Sequence, residues 1–170
     1  MAIPRLGSDD ALENFARKHP GAAVAIGVGM IGRTAVRRGI ETFVAQLGLA
    51  IPVIRARSAV IAPDTALAGG TFVGDGVVVN PSVRVGRCVI LNTSCVVEHD
   101  ASIGDHTHIS PGAVVCGGAV VGDDCWIGAG AVITQSLRVA HGCIVGAGAV
   151  VLANLESAGT YVGVPARRIG

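Results

Sequence analysis

The chain has 170 residues, 13 Lys and Arg against 12 Asp and Glu, and a hydrophobic share of 51%. That length makes one domain with a real core, and the near-neutral charge without a basic block gives no footprint for nucleic acid. No run reaches the roughly 18 apolar residues of a membrane span, and the start, MAIPRLGSDDALENF, lacks the pattern of a secretory signal, so a cytoplasmic protein without membrane contact is expected.

Five cysteines without an export signal point to reduced thiols. Twenty-five glycines stand against only three Phe, one Trp and one Tyr, so the core must be filled by small side chains. Charge is divided unevenly: residues 1–58 carry eight Lys/Arg and four Asp/Glu, residues 59–170 five and eight.

In chain order, SDDALENFARKHPG predicts a capped helix from about Asp9 to Lys18, and AAVAIGVG a buried strand. RTAVRRGIETFVAQLG predicts a second helix ending at Gly48, followed by the short strand AIPVI. Together these make a partial α/β, Rossmann-like segment over residues 1–58. Gly27, Gly29 and Gly32 match the GxGxxG dinucleotide fingerprint in form. No acidic residue follows the next strand to hold a ribose, so the motif is expected to be a structural turn.

From Ile61 to Val151 every sixth residue is Ile, Leu or Val, sixteen in succession, and the residue two before each is never charged. A period of six joins a short strand, whose alternation sends two residues inward, to a tight corner. Three strands and three corners close a triangular coil of 18 residues, and hexad periodicity is the signature of a parallel β-helix. The expected class is therefore all-β, with a β-helix over residues 59–156 and a C-terminal segment over 157–170. Cys95, Cys125 and Cys143 fall in the small inward slot and are expected to be core fillers.

CVVEHDASIGDHTHIS collects three of the five histidines. His99 follows the inward Val97 by two, at a corner. Imidazole has the near-neutral pKa that suits a general base. Asp100 is placed to fix its tautomer. His106 and His141 are expected at the surface. Cys116 is not expected to be a nucleophile, having no activating histidine nearby.

The hexads, the stretch ILNTSCVVEHDASIGDHTHISPGAVVCGGAVVGDDCWIGAGAVI and the terminal YVGVPARRIG resemble the bacterial hexapeptide-repeat sugar acyltransferases. That family includes sialic acid O-acetyltransferases and nucleotide-sugar N-acetyltransferases. The resemblance covers essentially the whole chain, and implies a left-handed parallel β-helix, a homotrimer with active sites between subunits, acetyl-CoA as donor and a sugar amino or hydroxyl group as acceptor. It implies His99 as base with Asp100, and Asn92 and His108 near the acceptor. It implies Gly117 beside the thioester. Ala129, Gly146, Ala147, Pro165, Ala166, Arg167 and Arg168 are assigned to coenzyme A. The family's opening strand and glycine-rich turn have no counterpart in these 170 residues, which leaves the acceptor open. No metal is expected.

Two alternatives remain at this level: a zinc hydratase of the γ-carbonic anhydrase type drawing on His99, His106 and His108, and a catalytically silent trimeric scaffold.

Overall fold

The structure, a computed structural model, describes residues 7–30 and 34–170. Helix α1 spans Ala11–Lys18, with Glu13 in its first turn and Arg17 and Lys18 in its last, where each complements the helix dipole. None of its residues is buried. Helix α2 spans Ala35–Gln46, buries Arg37 and Val44, and is followed by Gly48 at φ +68°.

The expected buried strand at AAVAIGVG does not form. Only Ala23 makes a parallel bridge, to Ala50, and the chain then runs irregularly to Met30. A two-strand fragment with no sheet behind it has too few ladder partners to hold a strand. Gly27 and Gly29 do not adopt the left-handed region, and a Cβ at either would meet nothing, so no tight turn needs them. Ile31 and Gly32, the end of that motif, lie outside the described residues.

Beyond residue 53 the hexads form a parallel β-helix of three sheets. The first face stacks Ile54–Arg55, Phe72–Val73, Ile90–Leu91, His108–Ile109, Trp126–Ile127 and Cys143–Val145. The second runs from Val60–Ile61 to Val150–Val151, and the third from Ala66–Leu67 to Arg138–Val139. Register is parallel and offset by one coil, as in Ile54↔Phe72 and Val78↔Val96. Each strand contributes its flanking pair inward: Val77 and Val79, Cys95 and Val97, Ala113 and Val115 are at most 1% exposed. Thr71 and Thr107 also enter the prism, and each hydroxyl donates to a carbonyl, of Gly86 and Gly122, at 2.8 Å. Their burial is thereby satisfied.

The left-handed backbone recurs every six residues from 70 to 148, three residues after each inward aliphatic. Glycine fills half of these positions; Ser82, Cys88, Ser94, Asp100, His106, Asp124 and Ser136 fill the rest. The corners are thus where this fold places chemistry. Gly159–Val162 extends the first face and pairs antiparallel with Arg167–Ile169, closing one end of the column.

Candidate active site

The corner between the second and third faces carries His99 and Asp100. His99 Nδ1 lies 2.8 Å from Asp100 Oδ2, and the two side chains are 64% and 66% exposed. Asp100 raises the His99 pKa above its ordinary value, chiefly through this hydrogen bond. The adjacent pair can meet because Asp100 is at φ 60°, which turns its carboxylate back toward the preceding ring. Nε2 stays outward.

One coil on, Gly118 N–H donates to the His99 carbonyl at 2.9 Å, so Gly117 lies alongside the ring. A Cβ on Gly117 would sit 2.8 Å from His99 Nε2 and 2.9 Å from Cε1. Glycine there leaves room for the imidazole. Beside it Cys116 is partly buried, and burial raises its thiol pKa, which opposes a nucleophilic role. Glu98, in the same corner, accepts from Asn80 Nδ2 at 2.9 Å.

Asn92 and His108 meet on the first face, at 3.1 Å between Asn92 Nδ2 and His108 Nε2. His108 Nδ1 donates to the Met30 carbonyl at 2.8 Å. These contacts select one neutral tautomer, with Nδ1 protonated and Nε2 accepting from Asn92. Burial lowers the pKa and keeps the ring uncharged. The resemblance puts His108 near the acceptor in a cleft between subunits; within the chain the ring is 8% exposed, roofed by Met30, with both nitrogens engaged.

The roof is fastened by Arg37, 2% exposed, which donates to the carbonyls of Val28, Ile26 and Cys88. Neither Met30 nor Arg37 was singled out from sequence, since the contacts span 78 and 51 positions along the chain. His106 is a plain correction. Expected at the surface, it is 1% exposed at the corner between the third and first faces, beneath α2. The reason is the two-faced helix, which covers that corner through Arg38–Asp124 at 2.7 Å and Glu41–Arg87 at 3.2 Å. His141 does remain exposed, 3.9 Å from Asp124.

His99, His106 and His108 therefore occupy three separate environments, and the latter two are enclosed by their own chain. Within one chain they do not converge on one ion, as three zinc ligands would.

Ala129 and Ala147 stack at the corner between the first and second faces, where Gly148 N–H donates to the Ala129 carbonyl at 2.8 Å. A Cβ on Gly146 would lie 2.8 Å from Val162 of the terminal hairpin. Pro165, Arg167 and Arg168 are exposed in that hairpin, whereas Ala166 is buried at 8%. Arg168 crosses over Gly159, where a Cβ would stand 2.8 Å from its Nε. The structure thus makes two groups: His99, Asp100 and Gly117 on one corner, and Asn92, His108, Ala129, Gly146, Ala147 and the arginines along the first face and its corner.

The family described as bacterial transferase hexapeptide (six repeats) matches residues 118–153. Among solved structures, PerB from Caulobacter crescentus, in complex with CoA and GDP-perosamine, superposes with a TM-score of 0.92 at 30% identity, over 99% of this chain and 79% of that one. The acetyltransferase domain of PglB from Neisseria gonorrhoeae matches with a TM-score of 0.78 at 34% identity, over 82% and 68%. WeeI from Acinetobacter baumannii matches with 0.84 at 29% identity, over 92% and 75%. No curated protein sequence matches. The chain belongs to the hexapeptide-repeat sugar acetyltransferase family.

Proposed function

We propose that this protein transfers the acetyl group of acetyl-CoA to the amino group of a nucleotide-linked sugar. The observation that carries the reading is His99, tied to Asp100 through Nδ1, with Nε2 free above Gly117. Support comes from PerB, whose structure holds CoA and GDP-perosamine, and from variants of the perosamine N-acetyltransferase made by replacing a histidine. PglB's domain has been solved with acetyl coenzyme A.

His99 Nε2 takes a proton from the sugar amine as nitrogen attacks the thioester carbonyl. The C–N bond forms and the carbonyl oxygen becomes an oxyanion. Gly117 N–H is assigned to stabilise that charge, a role worth roughly 3 kcal/mol per donor in other acyl-transfer sites. The C–S bond then breaks, and the thiolate leaves with the proton held by His99. Asp100 stabilises the imidazolium between those two events.

Asn92 is assigned to the acceptor, with His108 holding it in place. Ala129, Gly146 and Ala147 line the pantetheine groove, with Pro165 and Ala166 at its end; Arg167 and Arg168 meet phosphate, for which guanidinium is suited. Because the two groups of residues lie on different edges of one column, a complete site needs the edge of a second copy. A homotrimer supplies it. Residues 1–58 would then face the acceptor, 59–156 form the catalytic column and 157–170 cover the coenzyme. A cytoplasmic location belongs to the same reading, in keeping with five free cysteines. No helix among the described residues is long and apolar enough to cross a membrane.

Incubation with acetyl-CoA and a panel of nucleotide-linked amino sugars, GDP-perosamine included, should give a product heavier by one acetyl group by mass spectrometry. Absence of product across the panel, with donor binding intact, would refute the proposal.

A further inference from the structure

Glu41 of α2, Cys88 and His106 converge beneath the helix, with one candidate ligand atom of each within 4.8 Å of the other two. They arrive there for a structural reason. Cys88 and His106 hold the same corner position in successive coils, at φ 53° and 55°, so both side chains stack on one edge. Glu41 then descends from α2.

The ring of His106 is 1% exposed, and neither of its nitrogens makes a hydrogen bond. Nε2 does lie 2.8 Å from a Glu41 carboxylate oxygen, but without the angle of a hydrogen bond. A buried imidazole facing a thiol and a carboxylate, with no hydrogen-bond partner of its own, is unusual among satisfied interiors.

We propose that Glu41, Cys88 and His106 bind one borderline-soft divalent transition metal ion, zinc above all, which staples α2 to two coils of the β-helix. Imidazole nitrogen, thiolate and carboxylate are the ligand types zinc takes. Tetrahedral bonds of about 2.0–2.3 Å set ligand atoms about 3.3–3.8 Å apart. The atoms present lie within 4.8 Å of one another, with Nε2 2.8 Å from a Glu41 oxygen, so binding needs a small opening of that pair and a small approach of the thiol. Water takes the fourth position from the open cavity of about 580 Å³ that Glu41 lines with Arg38 and Arg87. Those arginines do not preclude a cation: Arg38 is paired to Asp124 at 2.7 Å and Arg87 to Asp105 at 2.9 Å, and the second contact of Arg87, to Glu41 Oε1 at 3.2 Å, leaves the other carboxylate oxygen to the ion. The thiolate and the carboxylate balance the ion's charge. This site is separate from His99 and takes no part in acetyl transfer.

The whole chain, stripped with chelator, is titrated with Co²⁺ and then with Zn²⁺. One Co²⁺ per chain should bind with thiolate-to-cobalt absorption, Zn²⁺ should displace it, and Zn²⁺ but not Mg²⁺ should raise the melting temperature. Cys88→Ser should abolish the absorption and Cys116→Ser retain it. Glu41→Gln, nearly isosteric, should weaken affinity at least ten-fold while an unchanged far-ultraviolet circular dichroism spectrum reports an intact fold. Wild-type protein without the absorption, or absorption that survives Cys88→Ser, would overturn the site. Acetyl transfer that persists after chelation is expected either way, so the two proposals fail independently.

Discussion

His99 and Asp100 are neighbours in sequence, and at most backbone angles neighbours point apart. The left-handed turn at Asp100 brings the carboxylate to 2.8 Å from the ring. His99→Ala should therefore cut turnover by about 10²–10⁴-fold, the contribution of a positioned base, while coenzyme A affinity holds. The pH profile tests the partner. Only neutral His99 accepts a proton, and Asp100 raises its pKa, so the rate falls as pH drops through that raised value. Asp100→Asn should move the acid limb of kcat/KM to lower pH and reduce its plateau. An unmoved limb would detach Asp100 from the base. Gly117→Ala places a methyl 2.8 Å from Nε2. The ring can swing away, so stability should hardly change while kcat drops on the order of 10²-fold, the cost of about 1 Å of misplacement.

At the scale of elements, two-residue strands are stabilised by the coils above and below and by what they place inside. Ile133, fully buried in a prism filled by small aliphatic side chains apart from Tyr161 at its closed end, has little around it that can close a gap. Ile133→Ala should cost about 2–5 kcal/mol in denaturant unfolding. The roof over His108 depends on a different bond set. Arg37 reaches carbonyls on both the 26–30 segment and the solenoid. Arg37→Met leaves those acceptors without a donor, which destabilises by about 1–3 kcal/mol each where they stay dry. Hydrogen exchange should then rise in residues 26–30 well before it rises in the hexads.

For the whole molecule, the proposed site draws on two residue groups on different edges, so activity is expected to require oligomerisation. Sedimentation should report a trimer, and mixing a His99→Ala chain with a chain altered at Asn92 should restore part of the activity through hybrid sites. Failure to complement would place each site within a single chain. Acid stability follows from the buried rings. His108 has its pKa lowered from 6.5 by burial, so below 6.5 the unfolded chain binds a proton that the folded one refuses. The melting temperature should fall as pH drops from 7 toward 5.

Much of this was legible in the residues alone. The β-helix, its inward cysteines and the His99–Asp100 corner depend on contacts inside one hexad or between residues 18 apart, and a strict period broadcasts such contacts along the chain. The N-terminal third carries no period. There a sequence that reads as a strand stays irregular because, among the described residues, its one strand partner is a single bridge to Ala50. Tertiary packing alone decided that Met30 would roof His108 and that α2 would bury His106 beside Glu41 and Cys88, for these contacts join a non-repeating segment to the column. Periodic local geometry can be read from spacing, whereas the docking of an aperiodic helix is settled only by the surface on which it comes to rest.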